Sequence, residues 1–347
     1  MSNTLSVCMI VKDEEEVLGA CLESVKDWAD EIIVVDTGST DKTVEIAESF
    51  GAKIFKQEWQ NDFSFHRNYA MEQATTEWIL TLDADERVPK GDGGTLKGIL
   101  AGTECDVVAV DLLNVYGDPP VIKGRTPQIR VFRRSYDPKY TGKVHNRPVV
   151  KKDSVIFRVP FRIVHIGYDL PPEKMDEKFQ RTVSMCRRLT KDEPDDPTSW
   201  FHLARALKAK NGQINVDAKD EITNALNTGI DLCNGENDGQ NIYIQLLAFM
   251  AQMKYFFGEY VSAIHYATKA LAFKPDYLDA IFFIGMSYTY GVDASKAEPW
   301  LTRYLYEQAA YQFSDKMDSI SMEYANARGE VYRALADVEE WKAKQLS

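Results

Sequence analysis

The sequence predicts two domains, a mostly parallel α/β sheet domain followed by an all-α domain of helical repeats. In the N-terminal half, short apolar runs alternate with helical patterns, as in a parallel sheet covered by helices on both faces. After residue 172, apolar residues recur only at helical spacing, without a convincing strand. The chain of 347 residues is 44% hydrophobic. It is long enough for two cores, since single cores usually stop growing before about 250–300 residues.

The elements of the first domain follow one another in strand-helix order. Runs rich in β-branched residues indicate the strands, and apolar residues three and four positions apart indicate the helices between them. In chain order, we predict strands at 5–11, 31–36, 52–57 and 77–83, separated by helices at 14–29, 39–51 and about 62–73. Two later strands are predicted from the alternating segments IRVFRR (129–134) and FRIVH (161–165).

Carboxylates follow two of these strands at the point where each strand ends. Asp36 closes EIIVVD before the turn TGSTDKT, and Asp83, Asp85 and Glu86 come directly after WILTL. Ionised carboxylates resist burial unless they are paired, hydrogen-bonded or bound to a cation. In parallel sheets, ligands bind beyond the carboxyl ends of the strands. We therefore expect a ligand site at this edge, although Asp36 alone is equally explained as a residue that orders its turn.

Several classes of protein are disfavoured. The chain has neither a G-x-G-x-x-G loop nor a G-x-x-x-x-G-K-[ST] loop, which argues against dinucleotide redox chemistry and P-loop ATP hydrolysis. The five cysteines are scattered without C-x-x-C spacing, which argues against disulfides and zinc and favours a cytoplasmic location. The N-terminal run of seven apolar residues indicates a strand rather than a signal peptide. No apolar run approaches the length of about 20 residues that crosses a bilayer.

Charge is unevenly distributed along the chain. The 53 acidic and 41 basic residues give a net charge of −12, which argues against a protein whose whole surface binds nucleic acid. Residues 123–162, in contrast, contain twelve Lys and Arg and only Asp137 and Asp153 as acids. We expect this basic stretch to contact anions, either the phosphates of a nucleotide or a polyanionic acceptor.

Four segments together resemble the family-two glycosyltransferases of GT-A fold, in the bacterial group that carries a helical-repeat tail. These segments are SVCMIVKDEE, ADEIIVVDTGSTDKTVEIAESFGAKI, DFSFHRNYAMEQATTEWILTLDADE and VHIGY. The resemblance covers about the first 170 residues and is far more specific than a lone D-x-D motif. It implies a Rossmann-like GT-A domain, a nucleotide-sugar donor with UDP-sugars favoured, a divalent Mn²⁺ or Mg²⁺ ion, and transfer with inversion.

The resemblance also assigns roles to the carboxylates. By position, Asp36 would contact the nucleobase or ribose, Asp83 the ribose, and Asp85 the metal that bridges the diphosphate. A Mg²⁺ or Mn²⁺ ion held by carboxylate oxygens would stabilise the charge on the leaving diphosphate, so Asp85 is also a catalytic candidate. Glu86 is either a neighbour of the metal ligand or a solvated residue that opens the next turn.

Four basic or polar residues are candidates for contacts with the donor. Arg67 and Asn68 lie at the start of a predicted helix, and the resemblance places this pair near the donor, where a guanidinium would meet a phosphate. A surface Arg and a helix-start Asn are the alternative, and His66 beside them is expected to be partly exposed. Arg130 and Arg133 are expected to contact pyrophosphate or acceptor, unless their strand is simply solvated.

Two histidines are candidates for the chemistry. Family members commonly show G-x-[IV]-H-E where this chain reads GKVHN, so His145 matches and Asn146 replaces the acid. An amide cannot accept the acceptor's proton, and His145 is therefore our candidate for the base. The resemblance implies that a late histidine joins the D-x-D acid on the metal, and His165, which follows the last predicted sheet strand, suits that role beside Asp85. The alternatives for His165 are a structural role and the role of base.

The second half of the chain contains a tetratricopeptide-like (TPR) repeat. The segment GEYVSAIHYATKALAFKPDYLDAIFFIGMSY places Gly258, Ala263, Ala270 and Pro275 at the spacing of this repeat. Small residues at these positions let paired helices approach closely. Stacked pairs form a concave surface, on which we expect the acceptor, a protein partner or a second copy of the chain.

These observations predict a GT-A nucleotide-sugar-binding domain at 1–170, a linker and helix at 171–197, and a TPR-like domain at 198–347. The expected activity is inverting, metal-dependent transfer of a sugar to a peptide, a glycan or a polyanion such as modified DNA. The alternative is an interaction scaffold with a degenerate sugar-nucleotide domain, for which Asn146 is the argument. A nucleotidyltransferase is less consistent, because the usual Gly-rich loop after the first strand is missing.

Overall fold

The structure is a computed structural model that describes residues 3–117, 121–144, 146–152, 154–166, 172–210, 212–233, 240–312, 324 and 327–346. The chain divides into two compact units, Met1–Met175 and Asp176–Ser347. The first unit holds an eight-stranded sheet and the second is mostly helical. This arrangement confirms the predicted order of an α/β domain followed by a helical region.

The sheet of the first unit is mostly parallel. Its strands are β1 (Leu5–Val11), β2 (Glu31–Asp36), β3 (Lys53–Lys56), β4 (Trp78–Thr81), β5 (Glu86–Arg87), β6 (Val107–Tyr116), β7 (Val121–Arg133) and β10 (Ile156–His165). They lie in the order β3-β2-β1-β4-β7-β6-β10-β5, in which only β5 and β7 run against the other six. The short strands β8 (Tyr140–Thr141) and β9 (Arg147–Pro148) pair separately.

Helices bury both faces of the central strands. They are α1 (Leu18–Val25), α2 (Thr43–Ser49), α3 (Phe63–Glu72) and α4 (Asp92–Gly102). Leu22 of α1 and Leu96 of α4 share one apolar cluster with Leu80 of β4, whereas Met71 of α3 packs on the opposite face with Ile33. This two-sided burial explains why the central strands read as continuous apolar runs.

The predicted helix 14–29 begins later than expected, at Leu18 of α1. The residues before Leu18 form hydrogen bonds to the segment that follows β2. The Glu14 N–H donates to Thr43 Oγ1 at 2.7 Å, and the Glu15 N–H donates to Asp41 Oδ2 at 3.0 Å. The side chains of Thr43 and Asp41 thus satisfy two backbone N–H groups ahead of α1. The segment before Leu18 therefore does not have to be helical.

The second unit is built from helices, and all of those described except the first pack on their neighbours in the chain. They are α5 (Pro172–Asp192, which crosses the division between the units), α6 (Pro197–Leu207), α7 (Lys219–Leu232), α8 (Gln240–Phe256), α9 (Tyr260–Phe273), α10 (Leu278–Ser287), α11 (Ala297–Gln312) and α12 (Arg328–Leu346). The expectation of no strand here was wrong in one place, because Ala209–Lys210 (β11) and Gln213–Ile214 (β12) pair as a small ribbon.

The small residues of the repeat permit close helix packing. Ala263 and Ala270 of α9 are fully buried. A Cβ atom on Gly285 of α10 would lie 2.7 Å from a methyl carbon of Leu301 in α11. Gly258 follows α8 with a φ of +76°, a left-handed conformation that favours glycine. None of the described helices is long and apolar enough to cross a bilayer.

Glu31 is the polar anchor at the amino end of the sheet, opposite the predicted site. Its buried carboxylate accepts hydrogen bonds from the Thr75 N–H and the Thr75 hydroxyl, both at 3.0 Å, and from the Ser6 hydroxyl. It also pairs with Lys53 Nζ at 2.6 Å. Burial by itself would raise the pKa of Glu31, but these donors outweigh it and lower the pKa from 4.5 to about 2.

We predict that Glu31→Gln lowers the free energy of unfolding by about 1–3 kcal/mol, because an amide leaves some of these donors without an acceptor. The depressed pKa means that the carboxylate stabilises the fold above pH 4.5 and loses this effect as the pH falls through about 2. Denaturant unfolding at pH 7 measures the change. Glu23→Gln, in an exposed pair with Lys26, is the control and should change stability by less than about 0.5 kcal/mol. Equal effects of the two changes would contradict the role of Glu31.

Candidate functional site

The predicted site residues meet at the edge where β4, β6 and β10 end. Glu86 in β5 is paired across the sheet with His165, and His165 is paired on its other side with Asn114 of β6. The loop between β4 and β5 carries Asp83 and Asp85. Residues that are far apart in sequence are therefore fixed side by side by main-chain hydrogen bonds of the sheet.

Asp85 and His165 form the pair expected from the sequence. Asp85 Oδ2 lies 3.2 Å from His165 Nε2, and Asp85 O accepts a hydrogen bond from the Ile166 N–H at 3.1 Å. His165 Nδ1 lies 3.0 Å from Asn114 Oδ1. An amide oxygen only accepts, so Nδ1 carries a proton and Nε2 is the nitrogen that faces Asp85.

Two arginines surround Asp83. Arg67 from α3 contacts Asp83 Oδ1 at 2.6 Å, and Arg130 from β7 lies 3.6 Å from Asp83 Oδ2. Arg130 also pairs with Glu86 Oε1 at 2.8 Å. Glu86 Oε2 accepts a hydrogen bond from the Asp83 N–H at 2.8 Å. These contacts join the two arginines and the two carboxyl groups in one cluster at the loop after β4.

The pKa values of the two carboxyl groups move in opposite directions. Burial would raise the pKa of Asp83, but the positive charges of Arg67 and Arg130 outweigh it and hold that pKa well below its usual range. Glu86 is only 1% exposed, and burial raises its pKa above the ordinary value although Arg130 opposes this. Asp83 is thus the firmly ionised member of the cluster.

Asp36 and Asn68 are engaged by their own surroundings. Asp36 ends β2 and is buried, and its carboxylate accepts hydrogen bonds from the N–H groups of Gly38 at 3.3 Å and Ser39 at 3.1 Å. The turn-ordering role is therefore real, whether or not a nucleoside also binds there. The Asn68 amide donates to Tyr140 O at 3.0 Å and accepts from the Tyr140 N–H at 2.7 Å. Both polar side-chain atoms of Asn68 are hydrogen-bonded to the backbone of β8. This argues against the predicted contact between Asn68 and the nucleotide-sugar donor.

The prediction for Arg133 was wrong. Arg133 is paired in the sheet with Trp78, the first residue of β4, so it lies at the opposite end of that strand from Asp83. Its guanidinium contacts Glu77, lies 3.1 Å from Asp106 Oδ1 and stacks 4.4 Å above the Trp78 ring. The sequence of a strand does not tell which end of the neighbouring strand each of its residues meets.

Six of the twelve basic residues of the basic stretch pair with acids from elsewhere in the first unit. Besides Arg130 and Arg133, ion pairs with carboxylates are made by Arg125, Lys139, Arg158 and Arg162. Their main partners are Asp111 for Arg125 and Arg158, Glu72 for Lys139, and Asp92 for Arg162. The local surplus of charge in the sequence is therefore weaker in the fold, and it is a weaker argument for a polyanionic ligand.

The two remaining histidine candidates and one residue that the sequence analysis missed complete the site. His145, our candidate for the base, lies outside the described residues. His66 is fully buried rather than partly exposed, stacks on Trp59 and accepts a hydrogen bond from the Gln60 N–H at 3.1 Å. Asn114 was missed because an Asn inside an apolar strand carries no local signal. Only its sheet partner, His165, reveals its role.

The side-chain atoms that face each other at Asp85 and His165 could bind a divalent cation that has few protein ligands. A carboxylate oxygen and an imidazole nitrogen converge there, and the orientation of the imidazole is fixed by Asn114. Within the described ranges, no group of three or more His, Cys, Asp or Glu side chains is arranged to hold a metal. Nucleotide-bound Mg²⁺ usually takes one or two carboxylates from the protein and phosphate and water oxygens for the rest, so Asp85 matches this pattern and His165 would add a nitrogen ligand.

Comparison with known proteins identifies relatives of this chain. Residues 6–153 match the family described as Glycosyl transferase family 2. The chain is 30% identical over 257 residues to the SPbeta prophage-derived glycosyltransferase SunS of Bacillus subtilis, which covers 72% of this chain and 58% of SunS. It is 56% identical over 84 residues to a TPR repeat-containing protein of Synechococcus elongatus, which covers 24% of this chain and 21% of that protein. The chain thus spans little more than half the length of SunS.

A solved structure also resembles this one over most of its length. S. aureus TarS, residues 1–349 in complex with UDP, aligns with a TM-score of 0.42 and 15% sequence identity. The alignment covers 83% of this chain and 91% of the TarS chain.

We predict that Arg130→Met destabilises the first unit by about 3–5 kcal/mol, because it leaves the buried Glu86 carboxylate without its cation. The double change Arg130→Met with Glu86→Leu should recover at least half of the loss, since it removes both charges. Denaturant unfolding measures the three variants. Lys26→Met, which removes an exposed ion pair, is the control and should have an effect below about 1 kcal/mol. A double variant less stable than Arg130→Met would contradict the ion-pair account.

Proposed function

We propose, since residues 6–153 belong to glycosyl transferase family 2, that this chain transfers a sugar from a nucleoside-diphosphate sugar to an acceptor nucleophile. The single observation that carries the proposal is the Asp85–His165 pair beside the arginine-held Asp83. In an interaction scaffold with a degenerate sugar-nucleotide domain, nothing would require these side chains to lie together across three strands. Their arrangement therefore favours an enzyme. UDP-sugars are the donors that we expect first.

The reaction that we propose is inverting. A nucleophilic atom of the acceptor forms a bond to the anomeric carbon while the bond from that carbon to the diphosphate oxygen breaks, and the acceptor proton passes to a base. Asp85 and His165 would hold a Mn²⁺ or Mg²⁺ ion, which stabilises negative charge on the leaving diphosphate. Asp83 and Asp36 would bind the nucleoside. Arg67 and Arg130 would act mainly by fixing Asp83.

The base remains a proposal that rests on sequence alone. His145 is the candidate because Asn146 cannot take a proton. Glu86 is a poor alternative, since both of its carboxylate oxygens are already engaged, by Arg130 and by the Asp83 N–H.

We propose a peptide or a glycan as the acceptor rather than a polyanion, because carboxylates pair with six of the twelve basic residues of the basic stretch. The TPR-like unit would bind this acceptor, a protein partner or a second copy of the chain. A cytoplasmic location is proposed from the five cysteines, none of which forms a disulfide.

We predict that Asp85→Ala lowers kcat by roughly 10²–10³-fold or more while the thermal unfolding midpoint changes little, because the side chain holds charge rather than packing. The assay measures release of UDP from UDP-sugars, with Mn²⁺ or Mg²⁺ and with EDTA. Asp27→Ala, at an exposed position, is the matched control and should be fully active. Turnover by the wild type that EDTA leaves unchanged would contradict the metal assignment. A well-folded wild type that binds no nucleoside diphosphate would favour the scaffold alternative.

Asn114 provides an independent test of the metal pair. We predict that Asn114→Ala weakens Mn²⁺ binding in the presence of UDP by about 10–100-fold, because His165 loses the acceptor that orients its ring. Asn114→Asp keeps an acceptor oxygen and should bind Mn²⁺ much more tightly than Asn114→Ala does. Electron paramagnetic resonance of free Mn²⁺ measures both affinities. Equal affinity of Asn114→Ala and wild type would show that the His165 ring is held without Asn114.

A further inference from the structure

Two loops at the carboxyl edge are joined by side-chain hydrogen bonds. The first follows β1 and contains Asp13, and the second follows β2 and contains Ser39 and Thr40. The Thr40 N–H donates to Asp13 Oδ1 at 2.7 Å, and the Thr40 hydroxyl donates to the same oxygen at 3.2 Å. In return, the Asp13 N–H donates to Ser39 Oγ at 3.0 Å.

The backbone of Asp13 is in an uncommon conformation. Its φ is +52°, in the left-handed region that Asn, Asp and Gly adopt more readily than other residues. This conformation coincides with the three hydrogen bonds to the second loop, in which both the N–H and the carboxylate of Asp13 take part. A residue held in this way is typical of sites where the surrounding structure fixes a functional loop.

The link from Asp13 continues to Asp36. Ser39, whose hydroxyl accepts from Asp13, donates its own N–H to Asp36 Oδ1 at 3.1 Å. Gly38, with a φ of +104°, donates to the other carboxylate oxygen at 3.3 Å. The position of the Asp36 carboxylate therefore depends on the shape of the turn from Gly38 to Thr40, and that shape depends on Asp13.

This linkage is exposed, unlike a packing interaction. Asp13 and Thr40 are both exposed, and hydrogen bonds in water add little to the stability of the whole fold. The linkage lies at the edge where ligands of such sheets bind. A contact that contributes little to folding but fixes a carboxylate at a ligand edge is expected to act on binding.

We infer that Asp13 is a positioning residue for nucleoside binding, which it supports by holding the Gly38–Thr40 turn and, through it, Asp36. This inference rests on the proposed function, because it assigns to Asp36 the nucleoside of the sugar donor. Asp13 itself touches no ligand in this account.

The test uses substitutions that separate the backbone of Asp13 from its carboxylate. Asp13→Gly keeps the left-handed backbone without strain and removes the acceptor of Thr40. Asp13→Asn keeps both the tolerance for positive φ and one acceptor oxygen. Asp137→Gly is the matched control, since Asp137 has a φ of +53° and lies in a turn bonded to Arg134 rather than at the ligand edge.

Calorimetric titration with UDP in the presence of Mn²⁺ measures the affinity of the full chain. If GDP, CDP, ADP or dTDP binds the wild type more tightly, that nucleotide replaces UDP. We expect Asp13→Gly to bind about tenfold more weakly, because the turn that holds the Asp36 carboxylate is then no longer fixed before the nucleotide binds. Asp13→Asn should stay within about threefold of wild type, and Asp137→Gly should match it. The unfolding midpoint of Asp13→Gly should stay within about 2 °C of wild type.

Wild-type affinity of Asp13→Gly would overturn the inference, and so would equal losses in Asp13→Gly and Asp13→Asn. A loss of affinity that follows a large fall in the unfolding midpoint would show a structural role only. If the wild type binds none of these nucleotides, the proposed function fails and this inference fails with it. If the wild type binds one and Asp13→Gly binds it equally well, only the positioning role is lost.

Discussion

The site depends on one arrangement of charge, in which Arg67 and Arg130 are set against Asp83 and Glu86. Glu86 is almost entirely buried, and a buried carboxylate without a partner would cost several kcal/mol. Arg130 reaches it because β7 runs antiparallel to β4 and brings this residue to the carboxyl end of the sheet. The antiparallel strand β7 thus places Arg130 at the same edge of the sheet at which the acids that follow β4 lie.

Much of the fold and part of the site follow from local sequence patterns. The bounds of β1 and β2 agree with the predicted runs, because strands buried on both faces read as continuous apolar segments. The resemblance and the positions of Asp85 and His165 at strand ends predicted that they meet, and the structure places them in contact. Their functions remain a proposal, whereas their proximity is a property of the fold.

What the sequence did not predict depends on partners that are distant in the chain. Arg133 was expected at the site because it lies in the basic stretch, but only its pairing with Trp78 tells which end of β4 it meets. The +10 surplus of residues 123–162 was read as a ligand surface because its acids come from other segments, such as Asp92 and Asp111. Burial of Glu86 and the role of Asn114 were hidden for the same reason.

The pairing of β10 between β6 and β5 also has a consequence for how the domain is made. Asp85 and His165 are 80 residues apart, so their contact has a high sequence separation and carries a large entropy of loop closure. During synthesis, the D-x-D loop leaves the ribosome long before β10 does. The family match ends at residue 153, before this strand begins. A nascent or truncated chain that stops there contains the acids without their histidine, and β6 would be left with an unpaired edge that is open to association with other chains.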